Sequence, residues 1–237
     1  MPLNVDKIET IKLFVCGTEI TPGGSSLYEV GSGIDSTQRI GNNNSAIGDY
    51  SIVTGGQQNT ANNNSSTVSG GIQNKAIGST STVSGGRRNT ASSYFSTVNG
   101  GTDNTASANC STVSGGIQNT SSGSASIVSG GYQNTSSGCY SFIGGGWSNT
   151  TVGDCSMILG GYANKSIGTR SAVVGGQSII ATENDMVYMP NANIQSSGYI
   201  YFGDVNTNGS WRMRISGATF IIEKRVGGSW VTSGTFV

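Results

Sequence analysis

The sequence predicts an all-β solenoid of stacked short coils, and three periodic columns predict it. Double glycines stand at 55–56, 70–71, 85–86, 100–101, 115–116, 130–131, 145–146, 160–161 and 175–176, an unbroken interval of fifteen. Three residues after each of the first eight pairs comes an asparagine: Asn59, Asn74, Asn89, Asn104, Asn119, Asn134, Asn149 and Asn164. A serine column from Ser51 to Ser171 keeps the same interval. Two residues beyond it runs an aliphatic column of Val53, Val68, Val83, Val98, Val113, Val128, Ile143, Ile158 and Val173.

Composition alone points elsewhere. Of 237 residues, 34% are apolar, 10% are charged and 38 are glycine, values that suit a low-complexity linker. A disordered linker has no reason to hold phase through nine repeats, so the columns decide against it.

The elements follow in chain order. Residues 1–40 form a separate N-terminal attachment or capping module: residues 8–17 alternate as a strand, and the TPGG turn at 21–24 precedes SLYEV. Gly41 and Asn44 keep the repeat phase and predict a degenerate capping turn. Residues 41–180 form the roll of fifteen-residue coils. The β-prone Ser-Thr/Ile-Val-Ser segment, as at 66–69, 81–84, 111–114 and 126–129, leads to a Gly-Gly corner, where positive φ is accessible. Ala61, Ala76, Ala91, Ala106, Ser121 and Ser136 recur where the return strand faces inward. Coils stack about 4.8 Å apart, so nine make a rod of roughly 43 Å. Stacked asparagines are expected to bond amide to amide up the rod as a structural ladder. After Gly176 the interval stops. Residues 181–237 read as an antiparallel β tip, with YIYFGDV, SWRMRIS, ATFIIEKRV and SWVTSGTF separated by NTNG, SG and GG. Trp211, Met213 and Ile215 share one face there, and Phe220 and Ile222 lie on the next strand.

Each coil offers its interior one aliphatic side chain and one of alanine size. That is a lean core to offset the ordering of fifteen residues. The outward strand positions, from Ile52 and Thr67 to Phe142, Met157 and Ala172, are therefore expected to pack against other copies, and a closed symmetric assembly leaves no open patch.

Segments such as STVSGGIQNKAIG (66–78), STVSGGRRNTASS (81–93) and SAVVGGQSIIATEND (171–185) resemble the repeats of trimeric autotransporter adhesin heads, and similar repeats occur in bacteriophage tail and head fibres. The resemblance covers about residues 40–182. It implies a left-handed parallel β-roll assembled as a homotrimer. Unlike the adhesins, the sequence shows no secretion signal, heptad stalk or membrane-anchor strands. The expectation is a phage virion fibre or spike, made in the host cytoplasm and projecting the roll for host attachment. Residues 1–40 are expected to meet other virion proteins, and the receptor to be a host glycan or protein. A bacterial cell-surface adhesin head is the alternative.

Other function classes find less support. Net charge is zero and the densest basic spot is Arg87–Arg88, so no nucleic-acid partner is expected. No window holds eighteen apolar residues, so no membrane insertion is expected. Histidine is absent, which removes the commonest general base and metal ligand. No enzyme activity, cofactor or metal is expected. A polysaccharide-cleaving tailspike needs paired carboxylates, whereas Asp49, Asp103 and Asp154 stand apart and only Glu183 and Asp185 are close in sequence. Thr67, Thr82, Thr97 and Thr112 form a Thr-x-Ser lane of the kind that orders ice, but it breaks at Ile52, Ile127, Phe142 and Met157.

Tyr132, Trp147 and Tyr162, each just after a glycine pair, are the candidate receptor contact, because stacked exposed aromatics suit sugar faces. A subunit contact is the competing explanation, and Tyr94, Phe95 and Tyr140 near the opposite turn invite the same two readings. The four cysteines form no CxxC pair and fit reduced thiols. Cys110 and Cys155 stand three coils apart, roughly 14 Å, beyond disulfide reach. They are expected to be buried or half-buried fillers.

Overall fold

The computed structural model describes residues 13–15, 18–20, 28–39, 43–190, 199–202, 206, 208–216 and 219–236. All regular structure among them is β, and no helix occurs. Residues 37–39 and 43–190 form a parallel β-solenoid of about ten turns, and Tyr28–Val30 joins it antiparallel to Thr37–Arg39.

Two ladders run along the solenoid. The first contains twelve strands, from Tyr28–Val30 and Thr37–Arg39 to Val187–Tyr188; the second contains ten, from Ser45–Ala46 to Ile180–Ala181. Within the first, Thr82 pairs with Thr97 and Val83 with Val98; within the second, Thr90 pairs with Thr105 and Ala91 with Ala106. A third line of single-residue bridges links Gln57, Ile72, Arg87 and their successors up to Gln177. From Ser45–Ala46 to Val187–Tyr188 each strand is two residues long, because only the inward member and its outward neighbour extend before the chain turns. In the first ladder Val53 to Val173 point inward, in the second Ala46 to Ala181, and these form one buried core. The small size of the second set lets the two ladders approach.

The corners need more than apolar packing, since their carbonyls fall outside both ladders. Asn89 Nδ2 donates to Gly85 O and to Gly101 O, each at 2.9 Å, the second lying one coil on. Its Oδ1 accepts the main-chain N–H of Asn104 at 3.0 Å. The same triad recurs along the column, which is fully buried. The expected ladder is thus mainly side chain to main chain. Direct amide-to-amide bonds, at 3.2 Å, accompany it at Asn134–Asn119 and Asn149–Asn134. Main-chain groups win because Gly85 O and Asn104 N–H have no partner in either ladder, whereas Gly101 O also accepts from Arg87 N–H at 2.9 Å.

The two glycines of each pair differ. Gly101 has φ +86°, and a Cβ there would lie 2.1 Å from Gly116 O; a Cβ on Gly100 would meet nothing within 4 Å. Left-handed backbone also occurs at two non-glycine positions per coil, for example Arg88 (φ 55°) and Phe95 (φ 54°). Such residues cost free energy. The stack offsets it, because Arg88 N–H donates to Ile72 O at 2.9 Å and Phe95 N–H to Ser79 O at 3.1 Å.

The ladders extend beyond the stretch marked by glycine pairs. Thr37 pairs with Ile52, and Asn44 Nδ2 reaches Gly56 O at 2.9 Å; Gly41 lies outside the described residues. At the other end the interval does not stop at Gly176. Lys165 pairs with Ile180 and Ala172 with Val187. Ile179 takes the asparagine position, and Tyr188 packs on the core in place of valine.

Near the N-terminus, Leu13–Val15 pairs antiparallel with Thr18–Ile20; the rest of 8–17, Cys16 and the TPGG turn lie outside the described residues. Residues Pro190–Val237 form a second compact unit. Its four-stranded antiparallel sheet comprises Tyr199–Phe202, Trp211–Ser216, Thr219–Val226 and Ser229–Phe236 in sequence order. Met213 pairs with Ile222 and Ile215 with Phe220, and Gly227 and Gly228, at φ 58° and 82°, form the last turn. On this sheet the nearly buried Glu223 accepts from Arg212 Nε at 2.6 Å and Arg214 Nε at 3.2 Å, and the Arg212 guanidinium lies over the Trp230 ring at 4.6 Å.

Candidate functional site

The position after each glycine pair must point outward, because the chain there bridges to its neighbours between an inward corner and an inward asparagine. Trp147 N–H donates to Gly161 O at 3.0 Å, which anchors the backbone and leaves the indole at the surface, 51% exposed. Tyr132 and Tyr162 occupy the coils on either side, bridged to Trp147. The ring centroids of Tyr132 and Trp147 are 6.0 Å apart with planes at 67°, and those of Trp147 and Tyr162 are 4.9 Å apart at 61°. These are edge-to-face contacts. They hold each ring in place, and the exposed Ile117 continues the column one coil earlier. A fixed row of exposed rings can stack on the C–H face of a pyranose or pack against a protein partner.

Tyr94 and Phe95 meet at the opposite turn, with centroids 4.0 Å apart, and Tyr140 is exposed on that same side. Cys110 and Cys155 are exposed, not buried as fillers, and Cys139 is half-buried. Their exposure has a geometric cause. Positions 110 and 155 are left-handed turn tips (φ 57° and 55°), outside the small inward column.

The candidate carboxylates are engaged in bonds between coils. Asp49 Oδ1 accepts Ile34 N–H at 2.9 Å and Asp154 Oδ1 accepts Cys139 N–H at 2.8 Å. Asp103 is gripped by Arg88 Nε and Nη2, both at 2.6 Å. Hydrogen bonding from that guanidinium holds the Asp103 carboxyl below its ordinary range. Asp185 is lowered in the same way by Arg170, while Glu183 Oε1 accepts from Thr182 at 3.3 Å. Glu183 and Asp185 therefore face different partners.

The first hydroxyl lane is present in register, with Thr67, Thr82, Thr97 and Thr112 half-buried on the first ladder. A second lane, which the sequence reading did not single out, runs along the other ladder through Thr90, Thr105, Thr120, Thr135 and Thr150. The threonine one residue after six of the eight asparagines was its available signal, with Lys75 and Lys165 at the other two.

Among known proteins, no family model matches this chain and no curated protein matches it.

Proposed function

We propose that this chain is a structural fibre or spike subunit whose solenoid projects a binding surface for attachment to a host. The observation that carries this reading is the combination of one unbroken stack with a fixed, exposed aromatic column at Tyr132, Trp147 and Tyr162. A stack of two-residue strands around a narrow core is suited to rigidity and reach, and the aromatic column is suited to contact. The resemblance of the repeats to trimeric autotransporter adhesin heads and phage fibres supports a left-handed roll of fifteen-residue coils in a homotrimeric virion fibre, attached through residues 1–40, with a host glycan as receptor. In this reading the chain is not an enzyme. Self-association draws further support from Ile127, Leu159, Val174, Val187 and Met189, outward and exposed on the later coils of the first ladder. Uncharged apolar surface of this kind typifies interface cores.

Two measurements test the reading. Light scattering should give three times the chain mass at the lowest workable concentration; a stable monomer would reject the assembly. A glycan array should show binding that Trp147→Ala removes, and absence of binding to any glycan would reject the receptor assignment.

A further inference from the structure

A second surface is built differently from the aromatic column. In the early coils Asn43, Gln58, Gln73 and Arg88 stand in line at left-handed turn positions. Thr60, Lys75 and Thr90 follow two residues after each of the last three, outward on the second ladder. Together they line a trough of about 510 Å³, within the size range of small-ligand sites. Its walls are held before any ligand arrives. Gln73 Nε2 donates to Gln58 Oε1 at 3.0 Å, and Asp103 fixes the Arg88 guanidinium through two bonds. Those two bonds leave other Arg88 N–H donors available. Because Asp103 offsets the charge of Arg88, the trough keeps one net positive charge, that of the exposed Lys75. Farther along, the same two columns carry Ala163 and Lys165, so the long polar wall is lost there.

We infer that this trough binds an acidic saccharide, with ring hydroxyls exchanging hydrogen bonds with Gln58, Gln73 and Thr90 and a carboxylate or sulfate on Lys75 and Arg88. Amides both donate and accept, as sugar hydroxyls do, and an anionic group gains charge-assisted bonds from the two cations. The lining contains no aromatic or large apolar side chain, so neither a peptide anchor nor a stacked nucleobase has a seat. The inference goes beyond the attachment role proposed above. It requires neither the aromatic column nor a trimer, and it stands or falls separately.

Titration calorimetry on the full chain tests it, with a galacturonate hexasaccharide and a sulfated heparin hexasaccharide as probes and maltohexaose as the neutral comparison. At least one acidic probe should bind and maltohexaose should not, with affinity falling as salt rises. Lys75→Gln should weaken binding by about tenfold or more. Lys165→Gln, which changes a lysine of the same phase outside the trough, should leave it unchanged. No binding of either acidic probe, equal binding of maltohexaose, or equal effects of the two lysine variants would overturn the assignment.

Discussion

Asn89 Oδ1 accepts the main-chain N–H of Asn104 at 3.0 Å, so each asparagine side chain braces the backbone of the coil that follows it. The column therefore completes the main-chain hydrogen bonding of the corners, where neither ladder reaches.

Asn104→Leu tests that role. It removes the donor to Gly100 O and Gly116 O and the acceptor for Asn119 N–H; Gly116 O keeps Thr102 N–H, but Gly100 O and Asn119 N–H lose their partner at a cost of about 3 kcal/mol or more. Asn104→Asp keeps only the acceptor and buries a charge, so it should not rescue. Denaturant unfolding of both variants checks this, and an unchanged midpoint for Asn104→Leu would remove the bracing role.

The glycine pair should respond unequally. Gly101→Ala places a methyl against Gly116 O in left-handed backbone and should prevent folding or lower Tm sharply. Gly100→Ala meets open space and should change stability by no more than about 0.5 kcal/mol. Circular dichroism melts of the two variants decide it. Equal effects would show that the corner is not built as described.

The C-terminal sheet should be sensitive to acid. Desolvation of Glu223 raises its pKa, but hydrogen bonds from Arg212 and Arg214 outweigh it and hold the folded value below the ordinary one. A lowered folded pKa contributes stability that is complete above the unfolded value of about 4.3. That contribution is lost as pH falls through the folded value. The stability of this sheet should therefore decline below about pH 4, and Glu223→Gln should flatten that dependence while costing about 2 kcal/mol at neutral pH. Fluorescence of Trp211 and Trp230 in a Trp147→Phe background reports it. A wild-type profile that stays flat through this range would refute the coupling.

Thiol chemistry distinguishes turn tips from core fillers. Cys110 and Cys155 are exposed and Cys139 is half-buried, so native alkylation followed by mass spectrometry should modify the first two rapidly and Cys139 more slowly. Protection of Cys110 and Cys155 until unfolding would contradict the placement of these turns.

The ladders were legible in the sequence because a two-residue strand repeated in phase leaves a column, and Val83, Ala91 and Asn89 each occupy one. The Tyr132–Trp147–Tyr162 row was legible for the same reason. The second left-handed turn was not. Its residues, among them Phe95, Cys110 and Tyr140, share no side-chain chemistry, since a hydrogen bond from the neighbouring coil stabilises the backbone there. The C-terminal coils were hidden because Ile179 and Tyr188 stand where the other coils carry the marking asparagine and valine. The acidic-saccharide trough depends on which side chains happen to be long on two separate columns, a coincidence that no repeat motif records.

A single register from Thr37 to Tyr188 makes the length of this shaft adjustable in whole steps. Excising residues 96–110 would bring Thr112 against Thr82, an encounter of the same kind as the one Thr97 now makes. The shaft would shorten by about 4.8 Å, with its remaining corners and both ends intact. Duplicating such a block would lengthen it equally, so recombination between repeats can retune reach without inventing a new contact.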